Sequence, residues 1–164
     1  MDLIIAVADP DADDVRALLE RHLTFARGES PPEHVHALNT GAWADPGLTL
    51  FGARRGGSLI GVGAIRRLDG THAELKAMHT RAEARGQGVG QAMLTHLLRV
   101  AEARGYQRVS LETGTMDAFA PARALYRKAG FRPCPPFGPY TVNPYSVCMT
   151  LVLDPAPSGL GCPA

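Results

Sequence analysis

The stretch Arg85-Gly86-Gln87-Gly88-Val89-Gly90 is where this sequence concentrates its chemistry. Three glycines in five residues let a backbone approach a ligand closely and turn several N–H groups toward one point. The run lies between an apolar strand-like segment ending at Thr80 and a helix-like segment beginning near Gly88, so those N–H groups coincide with the positive end of a helix dipole. Arg85 adds a fixed positive charge, and a diphosphate fits such a place. Two common phosphate motifs are excluded. The dinucleotide fingerprint needs a glycine where Gln91 stands, and the P-loop needs a lysine followed by Ser or Thr, whereas the only lysines are Lys76 and Lys128. The same glycines could also build nothing more than a tight strand-to-helix connection.

Positioning such a turn requires a scaffold, and the chain punctuates one clearly. Val15, Leu18, Leu19 and Leu23 recur at helical spacing after Asp9 and Asp11, which predicts a helix over about 11–25 following a first strand near the N-terminus. Pro31-Pro32 opens a second, shorter helix. Leu48 to Ala53 and Ser58 to Ile65 bracket Arg54-Arg55-Gly56-Gly57 as a hairpin, and Asp69-Gly70 turns the chain into a further strand, His72 to Thr80. Period-two alternation puts Glu74, Lys76 and Met78 on one face of that strand. Val89, Met93, Leu97 and Val100 then mark a helix that Gly105 stops, Val109 to Thr113 a strand, and Pro121 to Gly130 another helix. After a loop of prolines and glycines through Tyr140, Val147, Met149, Leu151 and Leu153 alternate in a last strand. Residues 155–164 have little to pack and are expected to be a disordered tail after a single domain of 1–154.

With those elements in order, two segments carry a family resemblance. Arg85 to Gly90 resembles the coenzyme A signature of the Gcn5-related N-acetyltransferases (GNAT), and Ala124-Leu125-Tyr126-Arg127-Lys128-Ala129-Gly130-Phe131 resembles that family's tyrosine and Gly-Phe segment about 35 residues later. Leu111 to Gly114, Pro136 to Tyr140 and Ser146 to Met149 are similar to a bacterial small-molecule subgroup. The resemblance implies an α/β (α+β) GNAT fold: a central mixed, mostly antiparallel sheet of six to seven strands, flanked by about four helices and splayed between its fourth and fifth strands.

The resemblance also implies roles. Acetyl-CoA is the cofactor, with backbone groups around Met78, His79 and Thr80 pairing with the pantetheine arm like an added strand. N–H groups from Arg85, Gly86, Gln87, Gly88, Val89 and Gly90 take the pyrophosphate. Phe119 and Ala122 lie beside the cofactor, although Phe119 replaces an asparagine common in relatives and could equally anchor its helix to the sheet. Arg123 could reach the 3′-phosphate. Tyr126 matches the residue that protonates the departing thiolate; a phenol is a reasonable donor there, though a buried tyrosine bonded to a carbonyl is the plainer alternative. An attacking amine must also lose a proton. Glu74 and Glu112 match base positions in different relatives, and His79 or an ordered water is a further candidate. The implied reaction is direct acetyl transfer to the amino group of a small molecule. The alternative is an acyl-CoA sensor or partner-binding module that has lost turnover.

Bulk properties fit. A 164-residue chain with 45% hydrophobic residues suits one core, and a net charge of +1 without a basic cluster argues against nucleic acid as a partner. No apolar run reaches membrane-spanning length, and the N-terminus reads as a strand rather than a leader. Cys134, Cys148 and Cys162 have neither disulfide nor zinc spacing, and His22, His34, His36, His72 and His96 do not converge, so no metal is expected and a reducing cytoplasm fits. A homodimer is a reasonable prior. The acceptor should meet residues 26–46 and 135–145, which carry Glu29, Glu33, His34, His36, Trp43 and Tyr140 and suit a compact polar or amphipathic molecule.

Overall fold

The computed structural model describes residues 2–31 and 40–153. Seven strands form one sheet in the order β1-β2-β3-β4-β5-β7-β6. They are β1 (Leu3–Val7), β2 (Leu48–Arg55), β3 (Ser58–Arg67), β4 (His72–Thr80), β5 (Arg108–Gly114), β6 (Arg132–Cys134) and β7 (Ser146–Val152). All neighbours are antiparallel except β4 and β5. Three α-helices accompany them among the described residues: α1 (Asp13–Glu29), α2 (Val89–Ala103) and α3 (Ala120–Lys128). The expected mixed, mostly antiparallel sheet is therefore present. The helix expected from Pro31-Pro32 and the tail from 155 fall outside the described residues.

Local chemistry explains most of the boundaries. The β2–β3 hairpin turns on Gly56 and Gly57, both at positive φ, where a side chain would be strained. Pro121 sits in the first turn of α3, where its missing N–H costs nothing, and Gly130 follows the helix at φ 105°. α1 runs four residues past its expected end, to Glu29. β6 is only three residues long and contains Pro133.

The sheet buries both faces. On one, α1 packs Val15 and Leu18 against Leu50, Leu59, Val62 and Ala64. On the other, Met93, Leu94 and Leu97 of α2 meet Phe51, Ile65, Leu75, Leu111 and Met149, with Tyr126 and Phe131 completing that core. Burying side chains of this size gains roughly 1.5–3 kcal/mol each, which explains how so short a helix as α3 is held.

β4 departs from simple alternation, and this corrects one expectation. Its pairing with β3 slips between Val62↔His79 and Ala64↔Lys76, leaving a bulge in which Ala77 sits at φ 54°. The extra residue reverses the facing of the rest of the strand. Ala77 joins the α1-side core and Met78 turns to the α2 side, so Met78 does not share a face with Glu74 and Lys76. Gly63 lies opposite the bulge, and this is why Met78 fits: a Cβ on Gly63 would stand 2.9 Å from Met78 Sδ and 2.7 Å from Met93 Cγ. Gly63→Ala should therefore lower unfolding free energy by about 1–3 kcal/mol in urea denaturation. A substitution that leaves stability unchanged would show that the helix and Met78 are not fixed by that contact.

Candidate active site

β4 and β5 are paired through three residues only, His72↔Arg108, Ala73↔Val109 and Glu74↔Ser110. Beyond Glu74 both strands run on without pairing to each other, and the sheet parts there, between its fourth and fifth strands. A cavity of about 720 Å³ occupies the parting. Its walls come from both faces of the sheet. Glu74, paired with Ser110, and Glu112, opposite Cys148, point to the α1 side; Tyr126 belongs to the α2 and α3 side. The gap in the sheet makes one cavity of what would otherwise be two surfaces.

Of the residues singled out from the sequence, Glu74, Met78, His79, Thr80, Arg85, Gly86, Gly88, Val89, Gly90, Glu112, Phe119, Ala122 and Tyr126 all line this cavity. Gln87 is the exception: its Oε1 accepts from Arg55 Nη1 at 2.8 Å and its Nε2 donates to the Glu83 carbonyl at 3.3 Å, so its side chain fastens the turn to β2. Arg123 is also otherwise engaged. Nη1 donates to the carbonyls of Gly114 at 2.7 Å and Met116 at 2.9 Å, tying the segment between β5 and α3 to the helix. Trp43 packs on the α1-side core rather than facing the cavity. Glu33, His34 and His36 lie outside the described residues.

The glycine turn has the form an anion site requires. Gly86 and Gly88 sit at φ 77° and 80°, and Gly88 caps α2 without any side-chain cap. Among the described residues, no carbonyl or side chain accepts from the N–H groups of Gly86, Gly88 or Gly90. A Cβ added to Gly86 or Gly88 would meet open space, so it is the backbone conformation, not crowding, that selects glycine there. Donors without partners at the positive end of a 15-residue helix fit a pyrophosphate. The Arg85 guanidinium lies over the Phe25 ring, 5.7 Å from its centroid, which links the turn to α1. Beyond Glu74, the edge of β4 that faces β5 has no strand partner among the described residues, an edge suited to an extended chain.

Tyr126 is buried, and burial pushes its hydroxyl well above the ordinary phenol range, so it carries its proton at any ordinary pH. No described residue hydrogen-bonds that hydroxyl, which removes the plainer alternative of a tyrosine anchored on a carbonyl. His79 packs edge-on against His22 at 5.3 Å between ring centroids, and beside Phe25 at 6.1 Å. Burial, with help from Arg85 and Arg21, lowers its pKa to about 4. Such an imidazole is neutral at pH 7 but weakly basic.

Sequence reasoning missed Lys76 as a site residue. Its ammonium, 8% exposed, lies 3.4 Å from Glu74 Oε2 and 2.7 Å from the Tyr140 hydroxyl, which itself donates to Glu74 Oε2. Burial, and then the Glu74 carboxylate, push the Tyr140 hydroxyl far up. His22 and Phe25 were missed as well: they continue the buried Val15–Leu18 face of α1 at helical spacing, where such side chains read as core. Cys148 is buried and its pKa is raised by that burial to about 11, which makes it a packing residue and not a nucleophile. No described helix is long and apolar enough to cross a membrane.

Comparison with known proteins points to one family. The sequence profile of the acetyltransferase (GNAT) family matches residues 12–131. The uncharacterized N-acetyltransferase YsnE of Bacillus subtilis (strain 168) is 42% identical over 146 residues, covering 89% of this chain and 97% of that protein. A protein named IAA acetyltransferase, from Azospirillum brasilense, is 36% identical over 146 residues, covering 88% and 94%. A GNAT family acetyltransferase of Elizabethkingia anophelis, solved with acetyl-CoA bound, shares the fold at a TM-score of 0.68 with 17% identity, covering 92% and 98%.

The His22 environment has a measurable consequence. Its pKa falls to about 4, mainly from burial and then from His79 and Lys76, while an unfolded imidazole titrates near 6.5. Between those values the unfolded chain binds more protons, so stability is full above about pH 6.5 and is lost as pH falls toward 4. From pH 7 to pH 5, urea denaturation should show wild type losing about 1–2 kcal/mol more than His22→Leu. Equal losses would mean His22 is not buried in its neutral form.

Proposed function

The chain belongs to the GNAT acetyltransferase family and is an acetyl-CoA-dependent N-acetyltransferase, and from that premise we propose that it acetylates the amino group of a small molecule by direct attack, with Tyr126 as acid and Glu74 as base. The observation that carries this reading is the cavity that crosses the sheet, with the buried Tyr126 phenol on one side and the buried Glu74 carboxylate on the other. Acetyl-CoA supplies an acetyl thioester, whose carbon an amine can attack with loss of a thiolate.

The residues divide the work by position. The free N–H groups from Gly86 to Gly90 and the Arg85 charge hold the pyrophosphate, while the open edge of β4 from Met78 to Thr80 guides the pantetheine arm into the parting. Val89, Phe119 and Ala122 line the same channel and exclude water. Glu74 stands at the last paired position of the seam, where it can take a proton from an ammonium or amine entering from the α1 side. Tyr126 keeps its proton and can pass it to the sulfur as the C–S bond breaks. Holding both reactants in one cavity contributes much of the rate. Glu112 lines the same wall and is the second candidate base. His79, with its pKa lowered to about 4 by burial, has lost the basicity that distinguishes an imidazole from a carboxylate, and its ring is taken up in packing against His22 and Phe25.

A small acceptor is supported by the cavity's size, which suits a molecule of modest dimensions beside the cofactor arm.

Calorimetric titration with acetyl-CoA should give micromolar binding that Arg85→Ala/Gly88→Ala weakens at least about tenfold, since the variant removes one charge and forces a Cβ into a left-handed position. In a coenzyme A release assay over amines, amino acids and short peptides, Tyr126→Phe should lower kcat by about 10–100-fold with acetyl-CoA affinity preserved. Turnover of peptides alone would sink the small-molecule acceptor. Undiminished kcat in Tyr126→Phe would remove Tyr126 as the acid.

A further inference from the structure

We propose that Tyr140 and Lys76 are positioning residues for Glu74: together they pin its Oε2 and leave Oε1 directed to the acceptor amine, which makes the β6–β7 loop a part of the catalytic apparatus. This rests on Glu74 being the base. The donor inventory fixes the direction of each bond. A lysine ammonium can only donate, so the 2.7 Å contact between Lys76 Nζ and the Tyr140 oxygen uses a lone pair of the phenol. The phenol's own proton is then spent on Glu74 Oε2, which also faces Lys76 Nζ at 3.4 Å. The chain of donation runs from Lys76 through Tyr140 to Glu74, and the raised proton affinity of Tyr140 keeps it a donor in that chain. Glu74 Oε1 has no donor among the described residues, and Glu74 lines the cavity.

Two further features make a purely structural role a poor explanation. Glu74 is 1% exposed and Lys76 nearly as well covered. Burying such a pair is costly, and apolar residues of similar volume would hold the seam as well or better. Tyr140 is itself held in place. Its N–H donates to the Phe137 carbonyl at 3.1 Å, its ring meets the Phe137 ring edge-on at 5.1 Å, and Phe137 leans on His72 at 5.7 Å. His72 in turn reaches Ser110 at 2.7 Å, the residue opposite Glu74 across the seam. Fixing the loop thus fixes the carboxylate, and a carboxylate free to rotate would spend part of its time facing away from the amine.

The test is a double-mutant cycle on the full chain, read with whichever amine or peptide gives the fastest coenzyme A release. Glu74→Gln should lower kcat about 100-fold or more, and Tyr140→Phe about tenfold, with acetyl-CoA affinity by calorimetry unchanged in both. If Tyr140 acts through Glu74, adding Tyr140→Phe to Glu74→Gln lowers kcat by less than about twofold further. Lys76→Met should repeat that pattern, with Lys76→Arg recovering part of the rate, and it replaces Tyr140→Phe in the cycle if that variant does not fold. A tenfold loss that persists in the Glu74→Gln background, or a Tyr140→Phe kcat within twofold of wild type, would overturn the positioning role while Glu74 remained the base. If Glu74→Gln keeps more than half the wild-type kcat, the base assignment has failed, and the positioning role with it.

Discussion

The early end of the pairing between β4 and β5 is the constraint on which the rest of the site depends. Parallel strands normally continue to bond for as long as both are extended, yet these stop after Glu74↔Ser110. The bulge at Ala77 accompanies that stop. It bends β4, leaves an L-residue at φ 54°, and sends Met78 to the opposite face. Gly63 makes room for Met78 under α2, and α2 in turn begins at the glycine turn that offers unpaired donors. The strain at Ala77, the missing side chain at Gly63 and the glycine turn at Gly86–Gly90 are thus one connected arrangement.

Because the sheet parts, groups from its two faces can serve one reaction without either being exposed. Tyr126 comes from the apolar side, and its burial there is what keeps it protonated. Glu74 comes from the polar side, where Lys76 and Tyr140 both donate to its Oε2. The polar stripe continues away from the cavity through His72, Ser110 and Thr150, the last two 2.8 Å apart. Buried hydroxyls and imidazole are satisfied there by one another.

Much of this was legible in the sequence, and the reason differs from element to element. Gly56-Gly57 announces its hairpin because two consecutive positive φ angles leave few other residue choices. The Arg85–Gly90 turn was readable because its backbone needs positive φ at Gly86 and Gly88, so glycine spacing marks it. The facing of Met78 was not readable: one extra residue inverts the alternation, and nothing in His72 to Thr80 marks where it sits. β6 was hidden because three residues including Pro133 are too few to show a period. Tyr140 and Lys76 meet across 64 residues of sequence, a contact that depends on how a proline-rich loop folds back and not on any local pattern. Arg123 looked like a free cation because its partners are carbonyls, which every residue carries and no side-chain pattern marks.

The three-residue seam has a mechanical meaning too. β1–β4 form one hydrogen-bonded ribbon and β5–β7 another, and the one strand ladder between them is the short parallel one at His72–Glu74, backed by the side-chain bonds His72–Ser110, Lys76–Tyr140 and Tyr140–Glu74. Because that ladder is far shorter than its neighbours, slow breathing of this molecule should be concentrated as opening and closing about that line. An extended ligand lying in the parting would act as a splint, supplying from outside the missing rungs between two half-sheets that the chain itself leaves unjoined.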